Sequence, residues 1–289
     1  MTDPRLTASN GRVASIELKG RVAAERYVEG GLRQCIAPIA GLHSSPQGTL
    51  SCQLLFGDRF RVLEEVSGWA FGQSERDRYA GYVQSAELGA CGMRTHAIST
   101  LSTHIYPLPE MKTAPRRWLP YAARIGVRAV DGGFAELAEG GFIPSQHIRD
   151  DQAPRADFVH EAKRFLDVPY LWGGNGPTGV DCSGLVQLAL NAVGIRCPRD
   201  SDMQFSGLGE PVRKNALKPG DLAFWNGHVG VVCAGGMLLH ATAHAMAVVQ
   251  EPLADVCRRL EQGGEAGFLG FRRIRDAAGQ SVMPQSAEA

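Results

Sequence analysis

Cys182 follows a glycine-rich stretch, Pro169-Tyr170-Leu171-Trp172-Gly173-Gly174-Asn175, and stands directly after Val180-Asp181, where an apolar helix is expected to begin. The unpaired N–H groups and the positive dipole end at a helix start stabilise a thiolate and lower a cysteine pKa. Taken alone, Cys182 also fits a small residue packed beneath a helix start. Two histidines downstream widen the chemistry available. His228 follows the Asn226-Gly227 turn, and His240 follows Gly235-Gly236. A hairpin with a three-residue loop at 233–235 would set them directly opposite, with Cβ atoms ~5 Å apart on one face. A two-residue loop would put them on opposite faces. A thiol, a histidine base and a second polar group that orients the base form an activated nucleophile. His228 is then the candidate base and His240 its orienting partner. Each histidine alone also fits a half-buried core position.

Amide cleavage further requires donors for an oxyanion. The backbone N–H of Cys182 and the side chain of Tyr170 are candidates, although Tyr170 also fits a plain core aromatic. Asp181 suits an N-cap carboxylate and retains acceptor capacity for another group. Ser201 can be a turn residue after Pro198, and Trp172 and Trp225 read as packing residues. His240 and His244 are spaced i, i+4, as two zinc ligands on a helix would be. No Glu follows the first histidine, no Cys-x-x-Cys occurs, and the neighbours read as strand. Neither a metal nor another cofactor is expected.

These residues need elements to hold them. Arg149-Asp150-Asp151-Gln152-Ala153-Pro154 reads as a linker. A helix starting at Pro154 would carry Phe158, Val159, Ala162, Phe165 and Leu166 on one face and stop at Pro169. A second helix is expected over 182–193, closed by Gly194. Strands follow at 221–225, 229–233, 237–241 and 247–249, then a helix at 252–262 and a strand at 268–274. Helices followed by an antiparallel sheet make an α+β domain, assigned to 154–276. Upstream, residues 1–30 form an N-terminal segment with little pattern. Short apolar runs between Gly and Pro breaks, at 36–39, 53–56, 60–66, 69–71 and 79–83, suggest a small β-barrel over 31–92. Runs at 102–106, 125–130, 134–137 and 141–143 suggest another over 93–150. The tail, 277–289, reads as loose.

The chain has 289 residues, consistent with a small number of domains. Thirty basic residues balance thirty acidic ones, so neither nucleic acid nor an anionic membrane is an expected partner. Residues 228–250 lack Asp, Glu, Lys and Arg, but their histidines and Gly235-Gly236 pair indicate a buried hairpin rather than a membrane span. Seven cysteines without framework spacing, and no apolar leader after Met1, predict free thiols in a reducing cytoplasm.

The ordered set Tyr170-Leu-Trp-Gly-Gly, Asp181-Cys-Ser-Gly-Leu-Val, Pro198-Arg-Asp-Ser-Asp-Met-Gln204, Lys218-Pro-Gly-Asp-Leu222, Gly227-His-Val-Gly230 and Leu239-His-Ala241 resembles the NlpC, or p60-like, family of bacterial cell-wall cysteine peptidases. The resemblance implies a papain-like α+β domain with Cys182 as nucleophile, His228 as base and His240 as orienting residue. It further implies hydrolysis of the bond between γ-D-glutamate and an L-diamino acid in murein peptides. Leu54-Leu55-Phe56-Gly57-Asp58, Gly68-Trp69-Ala70 and Tyr79-Ala80-Gly81-Tyr82-Val83 look like a bacterial SH3-like domain, and 142–148 resembles the end of a second. That arrangement is similar to the family's dipeptidyl peptidases, which act on free murein peptides with an exposed N-terminal L-alanine. The resemblance assigns substrate contacts to Tyr79, or less well Tyr82, and to Asp181, Ser183 and Ser201. One feature of such relatives is missing: a glutamate before the Leu-Leu-Phe-Gly motif, where this chain reads Ser45-Pro46-Gln47-Gly48-Thr49-Leu50-Ser51. Asp58, Glu64 and Glu65 are the nearby acids. Two other readings stand beside the peptidase: a papain-like amidase or acyltransferase, and a non-catalytic protein that binds cell-wall peptide.

Overall fold

The computed structural model describes residues 3–153, 155, 157–262 and 267–275. The expected helix start at Pro154 and the tail beyond 276 lie outside the described residues. The chain divides into two units, Met1–Ala153 and Pro154–Ala289.

In the first unit, turn residues separate short strands that pair with their neighbours. One seven-stranded sheet runs in the order Leu50–Leu55, Ile39–His43, Ala80–Gln84, Trp69–Ser74, Arg59–Val66, Gly31–Cys35 and Leu88–Gly89. Its pairings are antiparallel, and alternate residues such as Leu42, Leu54, Phe60 and Val83 are buried in its core. The expected strand over 36–39 is corrected. Ile36, Ala37 and Pro38 form the turn between Gly31–Cys35 and Ile39–His43, because Pro38 has no N–H to donate to a ladder. The second block holds three small sheets around Ile98, Ile105, Leu119, Ile125, Leu137 and Ile143, with Phe56 from the first block packed among them. No described pairing closes either block into a full barrel. The N-terminal segment, which shows little pattern as sequence, has a structural role. Val13–Ser15 pairs in parallel with Arg26–Val28, and Ala8 and Val13 pack on Leu63 and Phe71.

Among its described residues, the second unit joins four α-helices to a six-stranded antiparallel sheet. Helices α1 (Phe158–Lys163), α2 (Cys182–Ala192), α3 (Ser201–Gly207) and α4 (Leu253–Gln262) accompany the sheet Glu210–Val212, Phe268–Arg273, Asp221–Trp225, His228–Cys233, Met237–Thr242 and Ala247–Pro252, written in spatial order. This is the α+β layout expected from the sequence. Helix α2 is buried over nearly its whole length and packs against α1 and the His228–Cys233 strand. Its end is a Schellman turn. Gly194 takes φ 80°, Ile195 N–H bonds the Leu190 carbonyl at 2.9 Å, and Gly194 N–H bonds Asn191 at 3.1 Å.

Three expectations change. Helix α1 ends at Lys163, so Phe165 and Leu166 lie in a turn before Asp167, which takes φ 66°. Helix α3 and the Glu210–Val212 edge strand carry few apolar residues and were not expected. The hairpin of 228–242 turns through Ala234–Gly236, where Gly235 and Gly236 both have φ 71°. Its register pairs Val231 with Leu239, so His228 and His240 are diagonal neighbours on one face rather than directly opposite. The uncharged stretch 228–250 is thus sheet, and no described helix is long and apolar enough to cross a membrane.

Candidate active site

Asp181 caps α2 and fixes where Cys182 stands. Asp181 Oδ1 accepts from Gly184 N–H at 2.7 Å, and Oδ2 accepts from Gly173 N–H at 2.9 Å. The Gly173-Gly174 loop can lie this close only without side chains. A Cβ on Gly184 would stand 2.4 Å from the Gly174 carbonyl oxygen, and one on Gly174 would stand 2.5 Å from that of Gly179. Fully buried Arg199 completes the cluster, with Nη1 2.9 Å from Asp181 Oδ1 and Nη2 2.7 Å from Oδ2. Arg199 also donates to Ser183 Oγ at 2.9 Å, and Ser183 in turn donates to Asp181 at 3.2 Å.

Cys182 is the first residue of α2 and is 7% exposed. Its Sγ lies 4.0 Å from the Gly227 carbonyl, and the backbone N–H of Val229 favours its thiolate, so the sulfur sits beside the two peptide groups that flank His228. The thiol pKa expected to be lowered is instead pushed up to about 12, first by burial and then by the Asp181 charge. The N–H groups of Val229 and Ser183 and the Arg199 charge oppose this without overcoming it. Dipole stabilisation is a fraction of what desolvation costs a buried anion.

Beyond the thiol runs a chain of polar side chains. His228 Nε2 and His240 Nδ1 are 2.8 Å apart, and His240 Nε2 lies 2.8 Å from Glu251 Oε1. Arg259 on α4 grips Glu251 with two bonds, at 2.6 and 2.9 Å. Each histidine step crosses to the next strand with the same diagonal offset, since His240 pairs with Val249 and Leu238 with Glu251. Burial pushes His228 down to about 3, helped by positive charge from His240 and Arg259. His240 is lowered by burial against the opposing pull of Glu251. The Arg259 guanidinium holds Glu251 down at about 2.

A cavity of about 510 Å³ opens beside these groups, lined among others by Tyr170, His228, His240, Thr242, His244 and Arg259. Half-buried Tyr170 has its hydroxyl pushed up to about 12 by burial and by the neighbouring Cys182 and Asp181, so it remains a hydrogen-bond donor. Trp225, as expected, is buried, and its ring lies 5.8 Å from that of His228. Trp172 is 65% exposed, contrary to the packing role expected of it.

The residues assigned to substrate by resemblance fall in different settings. Asp181 and Ser183 are engaged by Arg199, so an incoming amine would meet a carboxylate that already accepts from five protein donors. Ser201 is buried at the start of α3. In the first unit, Tyr79 is 6% exposed in the sheet core. Tyr82 is half-buried and packs on Phe71 at 4.9 Å between centroids. Asp58 is bound by Arg76, Glu64 by Arg12 and Arg26, and Glu65 lies 3.5 Å from Arg33. Each of the three acids considered as replacements for the missing glutamate thus faces an arginine. Sequence reasoning missed Arg199, Glu251 and Arg259. Only Arg199 stood within a recognised motif, Pro198-Arg-Asp-Ser, and nothing about the spacing of Glu251 or Arg259 marks them.

A cysteine at the N-terminus of a buried helix, set against the histidine strand of an antiparallel sheet, is the arrangement of a papain-like α+β fold. Residues 167–258 match the NlpC/P60 family, and residues 42–88 match the bacterial dipeptidyl-peptidase SH3 domain. The chain therefore carries a domain that matches the NlpC/P60 family, preceded in sequence by one that matches the bacterial dipeptidyl-peptidase SH3 domain. It is 25% identical to dipeptidyl-peptidase 6 of Lysinibacillus sphaericus over 234 residues, covering 72% of this chain and 86% of that protein. It is 34% identical to the gamma-DL-glutamyl hydrolase of Bacillus subtilis over 113 residues, covering 36% of this chain and 27% of the relative. Several curated relatives that it matches are much longer proteins, of which it spans less than a third. A solved NlpC/P60 family protein from Bacillus cereus has the same fold, with a TM-score of 0.71 at 20% identity over 84% of this chain and 99% of that one.

Proposed function

We propose that the protein is a cysteine peptidase acting on murein peptides, cleaving the γ-D-glutamyl–L-diamino acid bond and releasing L-Ala-γ-D-Glu from free peptides with an exposed N-terminal L-alanine. The observation that carries this reading is the seat of Cys182 at the first position of α2, with its Sγ 4.0 Å from the carbonyl of Gly227, the residue before His228. The family match and the similarity to a dipeptidyl-peptidase over 72% of the chain support the choice of substrate.

With the thiol high and His228 low, the resting pair is neutral, and the proton moves as the sulfur attacks. Cys182 Sγ bonds to the γ-carbonyl carbon of D-glutamate while His228 takes the thiol proton. The oxyanion is met by the first-turn N–H of Cys182 and by the Tyr170 hydroxyl. The imidazolium of His228 then gives its proton to the departing amine of the diamino acid. Water, deprotonated by His228, cleaves the thioester and restores the thiol. Asp181, Ser183 and Ser201 are the proposed substrate contacts, with Arg199 keeping Asp181 and Ser183 in place.

Incubation with L-Ala-γ-D-Glu-meso-diaminopimelate and mass spectrometry tests this directly. Wild type should release L-Ala-γ-D-Glu, and Cys182→Ala should leave the substrate intact while remaining folded. An untouched substrate with wild type would sink the dipeptidyl reading.

A further inference from the structure

His228 and His240 could share their hydrogen bond with the proton on either side, and both arrangements fit the same 2.8 Å separation. In one, His228 carries its proton on Nε2 and donates to His240 Nδ1, leaving His228 Nδ1 with a free lone pair. In the other, His240 donates from Nδ1 and the neutral His228 holds its proton on Nδ1, where it cannot act as a base. The positions of the rings do not choose between them.

Glu251 does. An ionised carboxylate only accepts hydrogen bonds. At 2.8 Å from Glu251 Oε1, His240 Nε2 must therefore be the donor. A neutral His240 then has its lone pair on Nδ1, which obliges His228 to donate from Nε2. Arg259, bonded to both Glu251 oxygens, keeps that carboxylate ionised and fixed in direction. The other charged and titratable groups acting on this chain are His244 on His240 and Asp255 on Arg259. Asp255 is itself paired with Arg258 at 2.7 Å.

We infer that Glu251, held by Arg259, is a positioning residue that sets the tautomers of His240 and His228 and so leaves His228 Nδ1 free to act as the base. The inference rests on the cysteine peptidase reading for its kinetic consequence, whereas the proton positions can be read without any substrate.

The test is long-range ¹H–¹⁵N correlation of histidine-labelled protein near pH 7.5, combined with steady-state kinetics. In wild type both His228 and His240 should show the Nε2–H form. Glu251→Ala should populate Nδ1–H at these rings and lower kcat by about 10²-fold with little change in KM. Glu251→Gln, whose amide oxygen still accepts from His240, should keep the tautomers and recover most of the activity. Should the alanine variant fail to fold, Glu251→Leu/Arg259→Met removes the acceptor without stranding a guanidinium and is expected to show the same redistribution. Wild-type tautomers in a folded variant lacking the acceptor would overturn the inference, as would an unchanged kcat. Absence of peptidase activity in wild type would count against the functional reading alone, because the spectra still decide the proton positions.

Discussion

Arg199 Nη2 lies 2.7 Å from Asp181 Oδ2, and the arginine side chain that makes this contact is entirely buried. The two bonds between these residues hold the carboxylate that caps α2, and α2 in turn carries Cys182 at its first position. Removing one member of a buried pair strands the other charge, which costs about 3–5 kcal/mol. Arg199→Met should lower the denaturation midpoint accordingly, and Asp181→Asn, which can still cap the helix but strands the buried guanidinium, should lower it as well. Equilibrium unfolding of both variants checks this. Equal, small losses would show that the pair does not hold the helix start.

Gly184 is the second place where the motif answers to packing. Its missing Cβ would stand 2.4 Å from the Gly174 carbonyl oxygen, a backbone atom that cannot swing away. Gly184→Ala should cost on the order of 1–3 kcal/mol by overpacking and lower turnover by shifting the Gly173-Gly174 loop off Asp181. Thermal unfolding and the peptide assay together measure it. Unchanged stability would mean that the loop moves freely.

Cys182 should alkylate slowly at neutral pH. A thiol pushed up to about 12 is almost wholly protonated at pH 7, so its reaction with iodoacetamide should climb by about tenfold per pH unit from 7 to 9. A rate already level from pH 6 would reveal a preformed thiolate instead. Exposed Cys91 serves as an internal comparison in the same digest.

The neutral histidines also predict an acid sensitivity. His228 has a folded pKa of about 3, below the ordinary 6.5, so between those values the unfolded chain binds the extra proton. Stability from this group is therefore fully present above about pH 6.5 and is lost as pH falls toward 3, at up to about 1.4 kcal/mol per pH unit. His240 shifts in the same direction. Urea unfolding at pH 5 and pH 7 should show a smaller pH difference in His228→Gln than in wild type. An equal difference would place the acid sensitivity elsewhere.

Much of the second unit could be read from order and spacing. The α2 boundaries follow from Asp181 and Gly194, because capping and chain reversal are local events. The α+β class and the strands around 221–242 follow from periodicity and turn residues in the same way. The SH3-like strands over 50–84 were legible for the same reason, whereas Gly31–Cys35 and Ile39–His43, on either side of the turn at Ile36-Ala37-Pro38, were not. Family motifs marked Cys182, His228 and His240 as one set.

Other features depend on distance through space. The exact turn at Ala234–Gly236 decided that the two histidines meet diagonally, a shift of register that leaves no trace in composition. Burial decided the protonation of Cys182, overriding the helix-dipole argument that local sequence supports. Glu251 and Arg259 look like ordinary surface charges on a strand and a helix until the sheet brings them behind His240. Local residues determine which elements form and where they end. Only the packed structure decides how many waters each charge loses and which side chain it finds instead, and the protonation of this site depends on both.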